Sequence, residues 1–137
     1  MFSNSTKYAI RTILYLSEKG EETKSTVEEI ATALTIPKPY LSKVLQQLSR
    51  SNVISSLKGR GGGFYMDKQN RKKNLIDVIV CIDGKNVFKQ CLLGLPKCND
   101  KNPCILHSEF KKFKTNLEKT VIDRSIEQML KDNTRYK

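Results

Sequence analysis

The chain has 137 residues, 28% of them charged and 38% apolar, with a formal net charge of +11. That is enough for one compact domain, or a small domain with an appendage, around a modest core. No apolar run approaches the ~20 residues of a membrane span. The opening MFSNSTKYAIRTILYL lacks the charged segment and uninterrupted apolar run of a signal peptide, so a cytoplasmic chain with reduced cysteines is expected.

Residues 5 to 19 read as a first helix, because Tyr8, Ala9, Ile13 and Leu16 recur at helical spacing, with Ile10 and Leu14 widening the face. Gly20–Lys24 reads as a polar loop. Ser25 followed by Glu28 matches a capping box for a second helix, whose apolar stripe is Val27, Ile30, Ala31 and Leu34. Thr35-Ile36-Pro37 interrupts the pattern, and Pro37 or Pro39 fits only the first turn of a new helix. A third helix to about Arg50 buries Leu41, Val44, Leu45 and Leu48.

Two short helices joined by a tight turn make a helix-turn-helix. The outward face of the third helix offers Lys38, Tyr40, Ser42, Lys43, Gln46 and Gln47, donors and acceptors suited to base edges. Val53–Leu57 and Phe64–Met66 suit two short strands, separated by Lys58-Gly59-Arg60-Gly61-Gly62-Gly63. Glycines there free the backbone for a tight hairpin carrying two bases at its tip, the wing of a winged helix. A phosphate-cradling nucleotide loop is the alternative, but no GKS/T and no GxGxxG-led helix accompanies it.

Charge supports the first reading. Between Leu34 and Lys73 stand nine bases and one acid, Asp67, so this window carries +8 of the net charge. Such concentration marks a polyanion partner, although a merely solvated basic face has the same composition.

Arg71-Lys72-Lys73 leads into a fourth helix, Asn74 to about Ile82, with Leu75, Val78, Ile79 and Ile82 inward and Cys81 as a buried structural thiol. A loop at about 83–107 comes next, long enough to suggest function. The last helix, about 107–130, is amphipathic through Phe110, Phe113, Leu117, Val121, Ile122, Ile126 and Met129. No later element could cover that stripe, so a symmetric dimer through this helix is expected.

The long loop carries Cys91-x6-Cys98-x5-Cys104-x2-His107. Zinc sites usually bring ligands in close C-x2-4-C pairs, and none is present. Wider spacing wraps a loop around something larger than one ion, as an iron–sulfur cluster requires, with His107 able to join the same site. A metal-free thiol–disulfide switch is the chief rival for the three loop cysteines.

Taken together, Ile36-Pro37-Lys38-Pro39-Tyr40-Leu41-Ser42-Lys43-Val44-Leu45, the wing Ser55-Ser56-Leu57-Lys58-Gly59-Arg60-Gly61-Gly62-Gly63-Phe64, and Cys91-Leu-Leu-Gly-Leu-Pro-Lys-Cys98 through Pro103-Cys104-Ile-Leu-His107 resemble the Rrf2 family of bacterial transcriptional regulators from about Ser5 to Leu130. The resemblance implies a mainly α fold with a small β-wing. Residues 1–73 would form the winged helix-turn-helix DNA-binding domain. Residues 74–137 would form the linker helix, the cluster loop and the dimerisation helix. It also implies a homodimer on a palindromic duplex operator, with a 2Fe–2S cluster ahead of a 4Fe–4S one on Cys91, Cys98 and Cys104.

The DNA-contacting set is then Lys38, Pro39, Tyr40, Ser42, Lys43 and Gln46 on the third helix, with Ser56, Lys58, Gly59, Arg60 and Gly61 in the wing. Two departures stand out: the first cysteine gap is six residues where many relatives have five, and Lys58 falls where relatives often carry arginine. Some relatives also take an acidic ligand from the partner's first helix, yet residues 1–17 contain no Asp, Glu, His or Cys. That leaves His107 as the leading fourth ligand. The expected function is a regulator, not an enzyme, sensing redox state, iron–sulfur supply or nitric oxide. The alternatives are a thiol-switch or partner-controlled regulator, or a small electron-transfer protein. No small-molecule substrate and no membrane partner is suggested.

Overall fold

A computed structural model describes residues 1–132 and Arg135. Its elements run α1 (Asn4–Glu18), α2 (Val27–Leu34), α3 (Lys38–Arg50), β1 (Ser55–Leu57), β2 (Gly63–Tyr65), α4 (Lys68–Lys72), α5 (Leu75–Asp83), a 3-10 turn (Val87–Lys89), α6 (His107–Asp123) and α7 (Ile126–Lys131). The expected fold class holds: a mainly helical chain with one small antiparallel sheet. The segment assigned to 74–137 ends in positions 133, 134, 136 and 137, which lie outside the described residues.

Ser3 caps α1, its Oγ accepting from the Thr6 amide at 3.1 Å while donating to Asp83 at the end of α5. Arg11 of α1 donates to the Leu34 carbonyl at 2.5 Å, where α2 ends. Thr35 then turns through a left-handed conformation (φ 53°), and Pro37 leads directly into α3. The apolar spacing read for α3 is the one observed, with Leu41, Val44, Leu45 and Leu48 all buried.

One local assignment moves. The capping box of α2 is Thr26 with Glu29, one residue later than expected. Ser25 is buried and its backbone is engaged elsewhere: its amide donates to the Phe64 carbonyl at 2.9 Å, and the Phe64 amide donates to the Ser25 carbonyl at 2.8 Å. A ladder contact to the wing outcompetes a local cap, since both amide and carbonyl are satisfied at once.

The strands pair Ser55 with Tyr65, Ser56 with Phe64 and Leu57 with Gly63. Glycine at 62 is a steric requirement, because a Cβ there would stand 2.0 Å from the Leu57 carbonyl oxygen. At the foot of the wing, Asn70 is buried and receives a hydrogen bond from Ser55 Oγ while donating to the Asn52 carbonyl. Asn70 is placed there by α4, a short helix opened by an Asp67–Asn70 capping box and not expected from the apolar periodicity.

The expected single helix over 107–130 is broken. Arg124 is extended (φ −116°, ψ 130°), and Ser125 opens α7 with a capping box to Gln128. The break is held from outside. The Ile126 amide donates to the Lys73 carbonyl at 2.9 Å, and the Asn74 side chain donates to the Ile122 carbonyl at 2.6 Å. Ending the helix there lets Ile126 reach the core against α1 and α4, where it is fully buried. Part of the expected partner-facing stripe is thus covered by its own chain, Val121 and Ile126 among it, while Phe113 and Ile122 stay exposed. One hydrophobic core joins both halves: Leu75, Val78, Ile79, Val87 and Val121 pack with Ile13, Leu16, Leu45 and Met66.

Candidate cluster site and nucleic-acid interface

Val87 and Phe88 are buried and pin the start of the cysteine loop, with Phe2 edge-on to Phe88 at 6.1 Å between ring centroids. From there the chain leaves the core. Gly94 (φ 70°) and Lys97 (φ 58°) turn it back on itself. The far end of the loop is the first turn of α6, where the His107 amide donates to the Cys104 carbonyl at 3.1 Å.

The sulfurs of Cys91, Cys98 and Cys104 all lie within 4.8 Å of one another, all half-buried and none in a disulfide. Cys91 and Cys104 approach to 3.7 Å. His107 joins at one edge rather than at the centre, with Nδ1 3.3 Å from Cys98 Sγ. The Leu95 amide, followed by the Leu93 amide and the Cys98 and Cys104 thiols, lowers the Cys91 thiol to about 7 against the opposing effect of desolvation. At Cys98 the Cys104 amide pulls downward, but desolvation and the neighbouring thiols of Cys91 and Cys104 outweigh it and raise the group. One thiol lowered beside another raised is what amide donors and crowded neighbouring thiols produce together. Three convergent unpaired thiols, amides directed at a sulfur and an adjacent imidazole fit the donor needs of an iron–sulfur cluster.

Asp100, which the sequence pattern did not single out, stands beside this site. Its Oδ1 lies 2.8 Å from His107 Nε2 and its Oδ2 accepts from Lys111 Nζ at 2.6 Å. The Lys111 hydrogen bond, and after it that of His107, holds the Asp100 carboxyl below its ordinary range. His107 and Lys111 are four residues apart on α6 and so share a face, a spacing that could have flagged an acid in the preceding loop.

All the expected DNA-contacting residues of α3 and the wing are exposed, except Ser42, which is half-buried. Between α3 and the wing runs a groove of about 420 Å³ lined by Gln46, Ser49, Arg50, Ser56, Lys58 and Phe64 among others. Ser49 and Arg50 were not in the expected set, though both stand on the same face of α3 as Gln46. Two bases of the cationic window are occupied within the protein. Lys38 lies 2.5 Å from Glu28 in an exposed ion pair, and Arg71 donates to the carbonyls of Met66, Ser17 and Lys19. Arg71 therefore acts as a staple closing the end of α1, not as a free cation. The other bases keep the face strongly positive.

A helix-turn-helix with a glycine-tipped basic wing beside its second helix defines a winged-helix DNA-binding regulator. Similarity to known proteins agrees. The Rrf2 family model, described as an iron-dependent transcriptional regulator, matches residues 2–132. The chain belongs to the Rrf2 family. It is 34% identical over 120 residues to an HTH-type transcriptional regulator of Aquifex aeolicus, covering 86% of this chain and 83% of that one. It is 28% identical over 104 residues to the regulator NsrR of Bacillus licheniformis, covering 76% and 69%. Among solved structures, CymR, the global cysteine regulator of B. subtilis, aligns with a TM-score of 0.75 at 15% identity over 98% of both chains. T. potens IscR aligns with 0.71 at 20% identity over 98% of this chain and 88% of that one.

Proposed function

We propose that this Rrf2-family regulator senses redox state, iron–sulfur supply or nitric oxide through an iron–sulfur cluster held by Cys91, Cys98, Cys104 and His107. The single observation that carries the reading is the convergence of three unpaired thiols within 4.8 Å, with an imidazole nitrogen against one of them. When bound, such a cluster supplies a labile, redox-sensitive link among those four side chains; a 2Fe–2S form is proposed ahead of a 4Fe–4S one.

The chain's own part is mechanical. Residues 91–107 are joined to the core at the buried Val87 and Phe88 and to α6 at His107. At its other end, the α6–α7 break is tied to Lys73 and Asn74, next to the helix that braces the wing. A change in loop order can thus bias the placement of wing and recognition helix. The chain acts in the cytoplasm as a homodimer on a palindromic operator. Its pairing face is the part of α6 left open at Phe113 and Ile122. Lys38, Pro39, Tyr40, Ser42, Lys43 and Gln46 meet the major groove, and Ser56, Lys58, Gly59, Arg60 and Gly61 meet the backbone or minor groove. Residues 1–73 serve as the DNA module and 74–137 as the sensing and pairing module.

Anaerobic purification with a visible spectrum and iron and sulfide assays tests the sensor half. A colourless protein that stays so after reconstitution would refute it. Operator binding by clustered and apo protein across a salt series tests the switch, and equal affinity would sink it.

One observation favours a second reading. Cys91 and Cys104 sulfurs are already 3.7 Å apart, so a small movement would allow a disulfide. In a metal-free switch the two thiols would form one S–S bond, giving two electrons and two protons to a peroxide, which leaves as water. Mass spectrometry of the apo protein after stoichiometric peroxide would find that bond or its absence.

A further inference from the structure

We infer that Asp100 is the positioning residue for His107. It holds the ring so that Nδ1 faces the sulfurs while Nε2 carries the proton. This deepens the cluster reading and rests on it.

Three contacts stand in a row. Lys111 Nζ donates to Asp100 Oδ2 at 2.6 Å, Asp100 Oδ1 is 2.8 Å from His107 Nε2, and His107 Nδ1 is 3.3 Å from Cys98 Sγ. A carboxylate can only accept, so the nitrogen facing it is the protonated one. In the neutral ring the other nitrogen then keeps its lone pair on the side of Cys98 Sγ, the tautomer a metal-ligating imidazole needs.

The loop presents Asp100 for this task. Asn99 Oδ1 accepts from the amides of Lys101 and Asn102, each at 2.9 Å, and the Asn99 and Asn102 backbones hydrogen-bond to each other, closing a tight turn with Asp100 inside it. The carboxylate then meets α6 at its first residue and again one turn on, at His107 and Lys111. No side chain caps the start of α6, whose first turn also carries Glu109; the Asp100 carboxylate adds a second negative group at that end, in contact with His107. The His107 side chain is 16% exposed whereas that of Asp100 is 66% exposed. The ring is thus mostly enclosed while its orienting group faces water, which makes Asp100 replaceable without disturbing the core.

His107 is the only histidine of the chain, so its ring gives a single, unambiguous imidazole signal in a long-range proton–nitrogen spectrum. In the full-length apo protein, a downfield, slowly exchanging Nε2 proton is expected. Asp100→Ala should lose it to solvent exchange, and Asp100→Glu should restore it. After anaerobic reconstitution, Asp100→Ala should release its iron to a chelator about 10- to 100-fold faster than the wild type, with a changed visible and EPR spectrum. Lys111→Met, which leaves the Asp100–His107 contact in place, should have the smaller effect. An Nε2 proton kept in Asp100→Ala, an unchanged spectrum and release rate, or a larger effect from Lys111→Met would each overturn the assignment. A wild type that takes up no cluster would overturn the sensor reading itself, a result distinct from any change confined to the variants.

Discussion

The helix-turn-helix and the cysteine loop are built on opposite principles. In α3, Leu41, Val44, Leu45 and Leu48 are each no more than 1% exposed, locked among Ile13, Leu16, Ile30 and Ile54. From Cys91 to Leu106 no residue is buried, and Leu92, Leu93, Leu95 and Ile105 face solvent. The first region is held by apolar area removed from water. The second is held by a few turns, by polar contacts to α6 and by mutual approach of three sulfurs. The proposed sensing role fits that low-stability end, because a region that never opened could not respond.

A graded series of substitutions tests this contrast. Leu45→Ala should cost about 2–5 kcal/mol, seen as a large drop in Tm, because a fully buried side chain leaves a cavity. Ile126→Ala should fall in the same range; a cost within ~0.5 kcal/mol would mean that α7 does not pack on its own core. Arg71→Ala should cost about 1–3 kcal/mol, since three carbonyls lose their donor at once. Its main readout is thermal stability, and if DNA affinity fell while Tm held, the staple assignment would be wrong. Lys43→Ala should leave Tm unchanged, weaken operator binding, and lower the slope of log K against log salt by about 1. Smallest in stability is Cys104→Ser, expected to shift the apo protein by less than ~0.5 kcal/mol while abolishing cluster uptake. A large Tm loss in that apo variant would show the loop to be part of the core after all.

The pKa directions add a pH expectation at the surface. The Glu28 carboxyl is lowered, first by its hydrogen bond to Lys38. A depressed carboxylate stabilises the fold above its ordinary range and loses that contribution as pH falls through its lowered value. Glu28→Gln should therefore flatten the acid limb of the stability curve slightly and leave neutral pH little changed, as an exposed pair would.

Much of this molecule is legible from local pattern. The spacing of Leu41, Val44, Leu45 and Leu48, the Pro37 start and the glycines at 59, 61 and 62 each depend on neighbours within a few residues, so the helix-turn-helix and wing can be read directly. The cysteine trio is legible as well, because ligand type and spacing carry the chemistry. The features that escape depend on distant partners. Ser25 is not the cap of α2 because Phe64 claims its backbone. The long helix breaks at Arg124 because Lys73 and Asn74 offer hydrogen bonds there and the core takes Ile126. Asp100 looks like one more loop acid until α6 brings His107 and Lys111 to its two oxygens. Local sequence was enough to say which segments are helical or extended and which side chains could bind DNA or a metal, since periodicity and ligand chemistry are local properties. Folding had to decide where elements end, which bases are occupied inside the protein and which carboxylate orients the histidine, because those outcomes are competitions among groups that lie far apart in the chain and meet within a few ångströms only in the folded state.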